Sequence, residues 1–173
     1  YFKNIKFIFT SPNVDPGNNK IIVMIKKFVK KNTNAFYIPS FGQSLFFSCI
    51  NYSDGMIGNS SSGIIEVPAF KKGTINIGKR QEGRIKSTSI IDTSCTRKKI
   101  ILSIKKLYSK KFQKKLKTIN NPFFKKNTTK VIVSVVKKKL TRRINVNKKF
   151  FDLNFRFNKW NQRTQVTWIG RKL

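Results

Sequence analysis

The sequence contains no histidine and only two cysteines, Cys49 and Cys95. Without an imidazole, the chain lacks the side chain that proteins use most often as an acid or base near neutral pH and as a zinc ligand. Neither cysteine belongs to a CxxC or Cys/His cluster, so a disulfide framework is excluded and no metal is expected. We expect two buried thiols in a protein of the reducing cytoplasm.

Long apolar runs and an initial methionine are also lacking. Lysine, asparagine or serine interrupts every stretch that approaches the ~20 apolar residues needed to span a bilayer, so we expect a soluble chain without a membrane partner. The chain begins at Tyr1 and enters an apolar segment, residues 5–9, without the features of a secretory signal. We therefore expect that a preceding part of the protein is missing.

Acidic residues are scarce: 6 Asp and Glu stand against 38 Lys and Arg, which gives a formal net charge of +32. Such an excess attracts nucleic acid or anionic surfaces without specificity. Most of the lysines lie in helical patterns and after Arg97, and the chain carries no RRM signature, zinc finger or helix-turn-helix pattern. We favour a compositional bias on solvated faces over a specific nucleic-acid partner, and keep a basic nucleic-acid-binding protein as the rival hypothesis.

The apolar pattern predicts an α/β fold. Hydrophobic residues make up 39% of the chain, with 16 Phe, which is enough for one core. Short apolar runs alternate with helical periodicity, which is typical of a Rossmann-like parallel sheet with flanking helices. Strands are predicted at residues 5–10, 35–38, 55–57 and 73–77, and helices at residues 20–31, 43–52, 60–70, 96–117 (one or two) and 129–140. The first helix is expected to pack on the core, and the last to be amphipathic.

The most informative segment is GNSSSGIIEVPAF, residues 58–70. Small and hydroxyl residues follow a short strand where a helix is predicted to begin, and free backbone N–H groups with the Ser60 and Ser61 hydroxyls suit a phosphate. Ordinary helix capping by serine is the alternative. Glu66 lies among apolar residues and needs a partner there, either ribose hydroxyls or one of the many lysines.

Two further loops are predicted at the same edge of the sheet. The segment NIGKRQEGR follows a strand and supplies the planar donors of Arg80 and Arg84. The segment SPNVDPGNN holds Asn13 and Asp15, for which turn formation is at least an equal alternative to ligand contact. Because ligands of open parallel sheets bind outside the carboxyl ends of the strands, we expect these loops and the serine motif to converge on one site.

Together, SPNVDPG, GNSSSGIIEVPAF and GTINIGKRQEGR resemble the C-terminal domain of hydrolysing UDP-N-acetylglucosamine 2-epimerases of the sialic-acid and capsule pathways. The resemblance covers residues 3–117, about two thirds of the chain. It implies a glycosyltransferase-B-like fold of two Rossmann-like domains, with this chain as the second half and the UDP-sugar in the cleft between them. Residues 1–140 are then the UDP-binding domain, and residues 141–173 are a basic tail that is only partly matched.

The resemblance implies diphosphate contacts from two serines, ribose contacts from the motif glutamate, a nucleotide contact from an arginine, and two further pocket residues. In this sequence the two serines are Ser60 and Ser61, the glutamate is Glu66 and the arginine is Arg80. The two further pocket residues are Asn13 and Phe41. The implied reaction eliminates UDP from UDP-N-acetylglucosamine to give a glycal and adds water to release N-acetylmannosamine, with no cofactor. Its acid and base groups come largely from the first domain and from a histidine that this chain lacks, so the catalytic residues are unknown and we expect binding without turnover.

Several positions depart from the family pattern. Lys79 stands where an acidic or small polar residue is usual, and NPFFKKN replaces a glycine-rich NPYG-like loop. The final segment, FNKWNQRTQVTWIGRKL, matches no family pattern, and we interpret it as a non-native extension. Three hypotheses follow in order of preference: a fragment of an epimerase whose full form could be a homodimer, a non-catalytic nucleotide-binding remnant, and a basic nucleic-acid-binding protein.

Overall fold

The computed structural model describes residues 2–141 of the 173, and the interpretation of the final segment as an extension lies outside that range. The chain divides into two compact units, Tyr1–Lys126 and Asn127–Leu173. The first unit holds every strand of the described range and all the predicted site residues. The second unit contributes one described helix.

Five short parallel strands form the framework of the first unit. They are β1 (Phe7–Phe9), β2 (Ala35–Tyr37), β3 (Gly55–Gly58), β4 (Gly73–Ile77) and β5 (Ile90–Thr93). β1 pairs with β2, and β4 lies between β3 and β5, always in parallel register. The described strands thus form two sheets, of two and three strands. The predicted α/β class, with parallel strands and flanking helices, is confirmed.

Helices connect most of these strands, as parallel pairing requires. The first unit contains α1 (Asn18–Lys31), α2 (Gly42–Tyr52), the four-residue α3 (Ser62–Ile65), a 3₁₀ helix (Val67–Phe70), α4 (Arg97–Leu107) and α5 (Lys110–Lys117). The second unit contains α6 (Thr128–Leu140), which agrees with the helix predicted at residues 129–140. The four apolar residues predicted to share one side of α6 are all about half exposed: Val131, Ile132, Val135 and Val136.

The helix predicted at residues 60–70 is interrupted. α3 ends at Ile65, and the chain continues as a 3₁₀ helix after Glu66. The cause is Pro68, which has no backbone N–H and so cannot donate to the carbonyl of Ile64 as a continuing α-helix would require. Glu66 therefore lies at a junction between two short helices rather than inside one long helix.

Strand β5 was not predicted. Its two isoleucines, Ile90 and Ile91, are flanked by polar residues on both sides, so the local pattern is too short to indicate a strand. The strand forms by pairing with β4, where Ile91 stands opposite Ile75. Both of these side chains are buried, so burial against a neighbour, and not local pattern, defines this strand.

The core of the first unit lies between the three-stranded sheet and helices α4 and α5. It is formed by six residues that are each at most 6% exposed: Ile75, Ile91, Ile104, Leu107, Phe112 and Leu116. Gly73 permits this packing, because a Cβ there would lie 2.3 Å from Leu107 Cδ1 and 2.9 Å from Phe112 Cε1. Any side chain at residue 73 would push the two helices away from the sheet.

Tyr108, directly after α4, fastens that helix to the loop before β3. Its hydroxyl donates a hydrogen bond to Asp54 Oδ2 at 2.9 Å. Burial, together with the hydrogen bond and the negative charge of Asp54, raises the pKa of Tyr108 to about 12, so the hydroxyl is a protonated donor at neutral pH. The contact holds the start of β3, whose other end carries the serine motif.

Helix α1 differs from its prediction. Its apolar residues have helical spacing, but none is buried, and Met24 is 69% exposed. Phe28 contacts Phe9 edge to face, with 5.8 Å between the ring centroids. Because β1 and β2 have only three residues each, they offer little surface to a helix of 14 residues. The prediction of a core-packing helix is therefore wrong.

The thiols also differ from expectation. Cys95 is exposed and Cys49 is only partly buried, so the prediction of two buried thiols is wrong. Both thiols are free. As for the bilayer, none of the helices found within residues 2–141 has both the length and the apolar content needed to cross it.

Candidate functional site

A cavity of about 760 Å³ lies at the carboxyl ends of the strands of the first unit. Its walls come from the four loops that follow β1, β2, β3 and β4, together with residues of α1, α2 and β3. Four of the six predicted site residues line it, one from each loop: Asn13, Phe41, Ser60 and Arg80. Loops at the carboxyl ends of parallel strands meet at one edge, which explains why residues so far apart in sequence share a cavity.

Ser60 is held in a tight turn after β3. Gly58, at the end of that strand, has a φ of +156°, which disfavours any side chain at this position. The Ser60 Oγ accepts a hydrogen bond from the Ser62 N–H at 3.3 Å, and the Ser60 carbonyl accepts one from the Gly63 N–H at 3.2 Å. Because the hydroxyl acts as an acceptor in this turn, its own hydrogen is available to a ligand in the cavity.

Helix α3 lies directly on β4. Thr74 Oγ1 donates to the Gly63 carbonyl at 2.7 Å, and a Cβ at residue 63 would lie 2.6 Å from Thr74 Cγ2. This close approach explains the glycine in the serine motif. With four residues, however, α3 is too short to have the macrodipole of a long helix, so a helix dipole would add little to phosphate binding here.

Ser61 and Glu66 lie outside the larger cavity. The Ser61 carbonyl accepts hydrogen bonds from the N–H groups of Ile64 and Ile65, both at 2.9 Å, and so begins α3. Glu66, at the other end of α3, lines a second cavity of about 300 Å³. The structure therefore brings four of the six predicted site residues into one cavity and leaves two outside it.

Aromatic rings surround Glu66 in the second cavity: Phe47, Phe70, Phe123 and Phe124. Glu66 Oε2 is buried, and residues 2–141 provide it with neither a hydrogen bond nor an ion pair. The lysine partner considered as an alternative is thus not found in this part of the chain. A buried carboxylate oxygen without a donor is unfavourable, and the hydroxyl groups of a ligand would satisfy it.

Asn121 anchors the turn at residues 121–124 beside Glu66. Its Nδ2 donates to the carbonyl of Ile65 at 3.1 Å, and its Oδ1 accepts from the N–H of Phe123 at 3.0 Å. These two bonds fix the turn that carries both exposed phenyl rings, Phe123 and Phe124. The NPFF segment therefore places aromatic surface next to the unpaired carboxylate.

The loop between β4 and β5 carries Arg80 and a residue not predicted from the sequence, Gln81. Arg80 is exposed and lines the larger cavity, whereas Arg84 does not line it. Gln81 is 3% exposed, and its Nε2 donates to the carbonyl of Asn59 at 2.8 Å. The sequence carries no signal for this contact, because glutamine is usually exposed and the partner lies 22 residues away.

A polar cluster holds the base of the same loop. Asn76 is buried and donates to Asp92 Oδ1 at 2.7 Å, and Lys86 Nζ lies 2.9 Å from the same oxygen. Burial works to raise the pKa of the Asp92 carboxyl, but the hydrogen bonds of Asn76 and Lys86 and the positive charge of Lys86 together lower it below its ordinary value of 3.8. Asp92 is therefore ionised at neutral pH and ties β4, β5 and the loop together.

Charge in the larger cavity is limited, within the described range, to Arg80 and Asp15. The Asp15 carbonyl accepts from the Asn18 N–H at 3.1 Å, so this loop forms the predicted turn and lines the cavity as well. The loop is also fixed to β2 by a 2.7 Å hydrogen bond between the hydroxyls of Ser11 and Tyr37. An anion in the cavity would meet one cationic and one acidic side chain.

Residues 1–137 match the sequence family described as UDP-N-acetylglucosamine 2-epimerase. The chain is 37% identical over 154 residues to the polysialic acid biosynthesis protein P7 of Escherichia coli, covering 88% of this chain and 39% of that relative. It is 38% identical over 112 residues to a GDP/UDP-N,N'-diacetylbacillosamine 2-epimerase (hydrolyzing) of Campylobacter jejuni, covering 64% of this chain and 29% of that relative. It is 30% identical over 159 residues to a UDP-N-acetylglucosamine 2-epimerase of Neisseria meningitidis, covering 89% of this chain and 41% of that relative. The chain thus spans about two fifths or less of the length of these curated relatives.

Proposed function

Because the chain belongs to the UDP-N-acetylglucosamine 2-epimerase family, we propose that it is the UDP-binding half of a hydrolysing UDP-N-acetylglucosamine 2-epimerase. The proposed reaction eliminates UDP from UDP-N-acetylglucosamine and adds water to release N-acetylmannosamine. Two relatives support this branch of the family, since one is named as hydrolyzing and another for polysialic acid biosynthesis. The chain then supplies the second Rossmann-like domain of a glycosyltransferase-B-like pair.

The observation that carries the proposal is the cavity into which four separate loops bring predicted nucleotide contacts. Arg80 offers a planar guanidinium for bidentate contact with a phosphate, and the Ser60 hydroxyl is a further donor. Phe41 offers an aromatic face and Asn13 an amide. A nucleoside diphosphate needs this mixture of charge, donors and apolar surface, and the net charge of +32 favours its approach from solution.

We assign the ribose to Glu66 and the diphosphate to the other end of α3. A helix of four residues is about 6 Å long, so Ser62 at the larger cavity and Glu66 at the smaller one lie within the reach of one nucleotide. The unpaired Oε2 of Glu66 is an acceptor for ribose hydroxyls. The diphosphate role of Ser61, which begins α3, belongs to the same proposal.

The chain is proposed to bind UDP without turning over the sugar nucleotide by itself. It has no histidine, and among the described acids only Asp15 and Glu66 border either cavity. The acid and base groups are proposed to come from the larger part of the relatives that this chain does not match. A homodimer of the full enzyme and a cytoplasmic location belong to this proposal.

Isothermal titration calorimetry with UDP at moderate salt tests the proposal. Saturable binding is expected, and Ser60→Ala and Glu66→Ala should each weaken it about tenfold, because each removes one hydrogen-bonding group from the ligand. Ser48→Ala on α2 and Glu82→Ala on the β4–β5 loop are matched controls that line neither cavity and should not weaken binding. Absence of saturable heat, or equal losses in the controls, contradicts the proposal.

A basic nucleic-acid-binding protein is the second candidate, and one surface favours it. Helices α4 and α5 expose ten Lys and Arg side chains, with no acidic residue between Arg97 and Lys117. Fluorescence anisotropy with a labelled oligonucleotide, between about 50 and 200 mM salt, tests this candidate. Affinity that falls steeply with salt and is indifferent to UDP would favour it over the epimerase half-site.

A further inference from the structure

Gln81 is a buried residue between exposed neighbours in the loop from β4 to β5. Its neighbours Arg80 and Glu82 both face solvent. The loop is shaped by Gly78 and Gly83, each with a φ of +76°, a conformation that favours glycine. A glutamine amide is unfavourable away from water unless it is hydrogen-bonded, so the contact that holds it inward is central to the loop.

That contact joins two loops of the larger cavity. Gln81 Nε2 donates to the carbonyl of Asn59 at 2.8 Å. Asn59 directly precedes Ser60, and both line the cavity together with Arg80. The hydrogen bond therefore links the residue next to Arg80 with the residue next to Ser60, which are the two donors assigned to the diphosphate.

The acceptor fixes the orientation of the Gln81 amide. Half a turn of the amide would set Oε1 against the Asn59 carbonyl oxygen, which places two acceptors together with no hydrogen between them. Oε1 itself is buried and has no hydrogen-bond partner among residues 2–141. The bond to Asn59 is thus the polar contact that keeps the side chain inside the fold.

We propose that Gln81 is a positioning residue of the nucleotide site. It holds residues 59–62 so that the Ser60 hydroxyl and the Arg80 guanidinium face one cavity, and it acts through Asn59 without contacting the ligand itself. The identity of that ligand, a nucleoside diphosphate, rests on the proposed function. The link between the two loops does not.

Three variants of the full chain separate this role from a general effect on stability. Gln81→Met keeps the length of the side chain and removes both polar atoms, and Gln81→Glu keeps its shape but removes the donor. Gln113→Met is the matched control. Gln113 lies on α5, outside both cavities, and its Nε2 donates to the Leu107 carbonyl at 2.6 Å. Circular dichroism establishes that each variant folds, and Gln81→Glu carries the test if Gln81→Met does not.

Amide hydrogen exchange in the ligand-free chain tests the link directly. The N–H groups of Ser62 and Gly63 bond to Ser60 at 3.3 and 3.2 Å and report on the turn. Both should exchange about tenfold faster in the Gln81 variants, the factor for one lost hydrogen bond, and at the wild-type rate in Gln113→Met. Unchanged rates in the Gln81 variants overturn the proposal, whether or not the chain binds UDP.

Titrations with UDP and with uridine test the effect on the ligand. Both Gln81 variants should weaken UDP binding about tenfold and uridine binding less than about twofold, because only the diphosphate reaches Ser60 and Arg80. In a Ser60→Ala background the effect of Gln81→Met should be smaller than in the wild type, since part of that effect acts through the Ser60 hydroxyl. Full additivity overturns the positioning role. A wild-type chain that binds no UDP contradicts the proposed function instead, and the exchange rates still decide the link.

Discussion

The two sheets of the first unit are built from the same parallel βα pattern, but they are buried to different depths. The three-stranded sheet is covered by α4 and α5, and Ile75 in β4 is fully buried. The two-stranded sheet and α1 leave Ile8, Met24 and Phe28 about half exposed or more. The larger cavity takes walls from both sides, so one wall rests on a well-packed core and the other on lightly packed elements.

This difference divides the proposed site into a fixed part and an adjustable part. Ser60 and Arg80 follow strands of the buried sheet, whereas Asn13 and Phe41 follow strands of the exposed one. Local stability follows the number of buried apolar contacts. We therefore expect the diphosphate contacts to be held in place in this chain and the contacts from β1 and β2 to adjust on binding.

The largest expected effect is on the core beside the three-stranded sheet. Ile75→Ala should lower the free energy of unfolding by about 2–5 kcal/mol, because it opens a cavity in the core. Ile8→Ala makes the same change in β1, where the side chain is 48% exposed, and should cost less than about 1 kcal/mol. Urea denaturation measures both. Equal losses would mean that the two sheets are equally well packed.

A second, smaller loss of stability is expected at the contact between α3 and β4. Gly63→Ala should destabilise the chain by about 1–3 kcal/mol, because its Cβ would overlap the Thr74 methyl group. Thr74→Ser removes that methyl and keeps the hydroxyl that bonds to the Gly63 carbonyl, so the double variant should recover much of the loss. Thermal unfolding of the two single variants and the double variant tests this. A cost that Thr74→Ser leaves unchanged contradicts the proposed clash.

The smallest effect concerns the polar cluster at the base of the β4–β5 loop. The pKa of Asp92 lies below 3.8 in the fold, so its ionised form stabilises the chain above that pH, and this contribution is lost as the pH falls through the folded-state pKa. The carboxyl is 55% exposed, so the effect is modest. Chemical denaturation should show the wild type losing its advantage over Asp92→Asn below about pH 4. An advantage that persists in acid shows that the charge of Asp92 is not what stabilises the loop.

The parts of the fold that the sequence predicts carry local signals. β4 has the predicted bounds, because GTINI is a compact run between a glycine and a polar loop. Ser60 and Arg80 lie a few residues after the ends of β3 and β4 in glycine-containing motifs, which is enough to predict that they approach each other at the carboxyl ends of the sheet.

The parts that the sequence does not predict depend on contacts between distant residues. β5 needs β4 beside it, and Gln81 is buried because of a carbonyl 22 residues away. The placement of Glu66 in a second cavity depends on where α3 ends, which Pro68 decides. The exposure of α1 depends on the small area of the sheet beneath it. The helical periodicity of α1 carries no information about that area.

Two arginines on one loop provide the most direct test of the UDP half-site. Arg80 lines the larger cavity and Arg84 does not, although both belong to the β4–β5 loop. Calorimetric titration with UDP should show Arg80→Ala weakening binding roughly 10- to 100-fold, as expected for a lost charge-assisted contact, and Arg84→Ala leaving it nearly unchanged. If the two variants weaken UDP binding equally, or if the wild type shows no saturable binding, the cavity is not a nucleotide site. The net positive charge alone would then attract the anion.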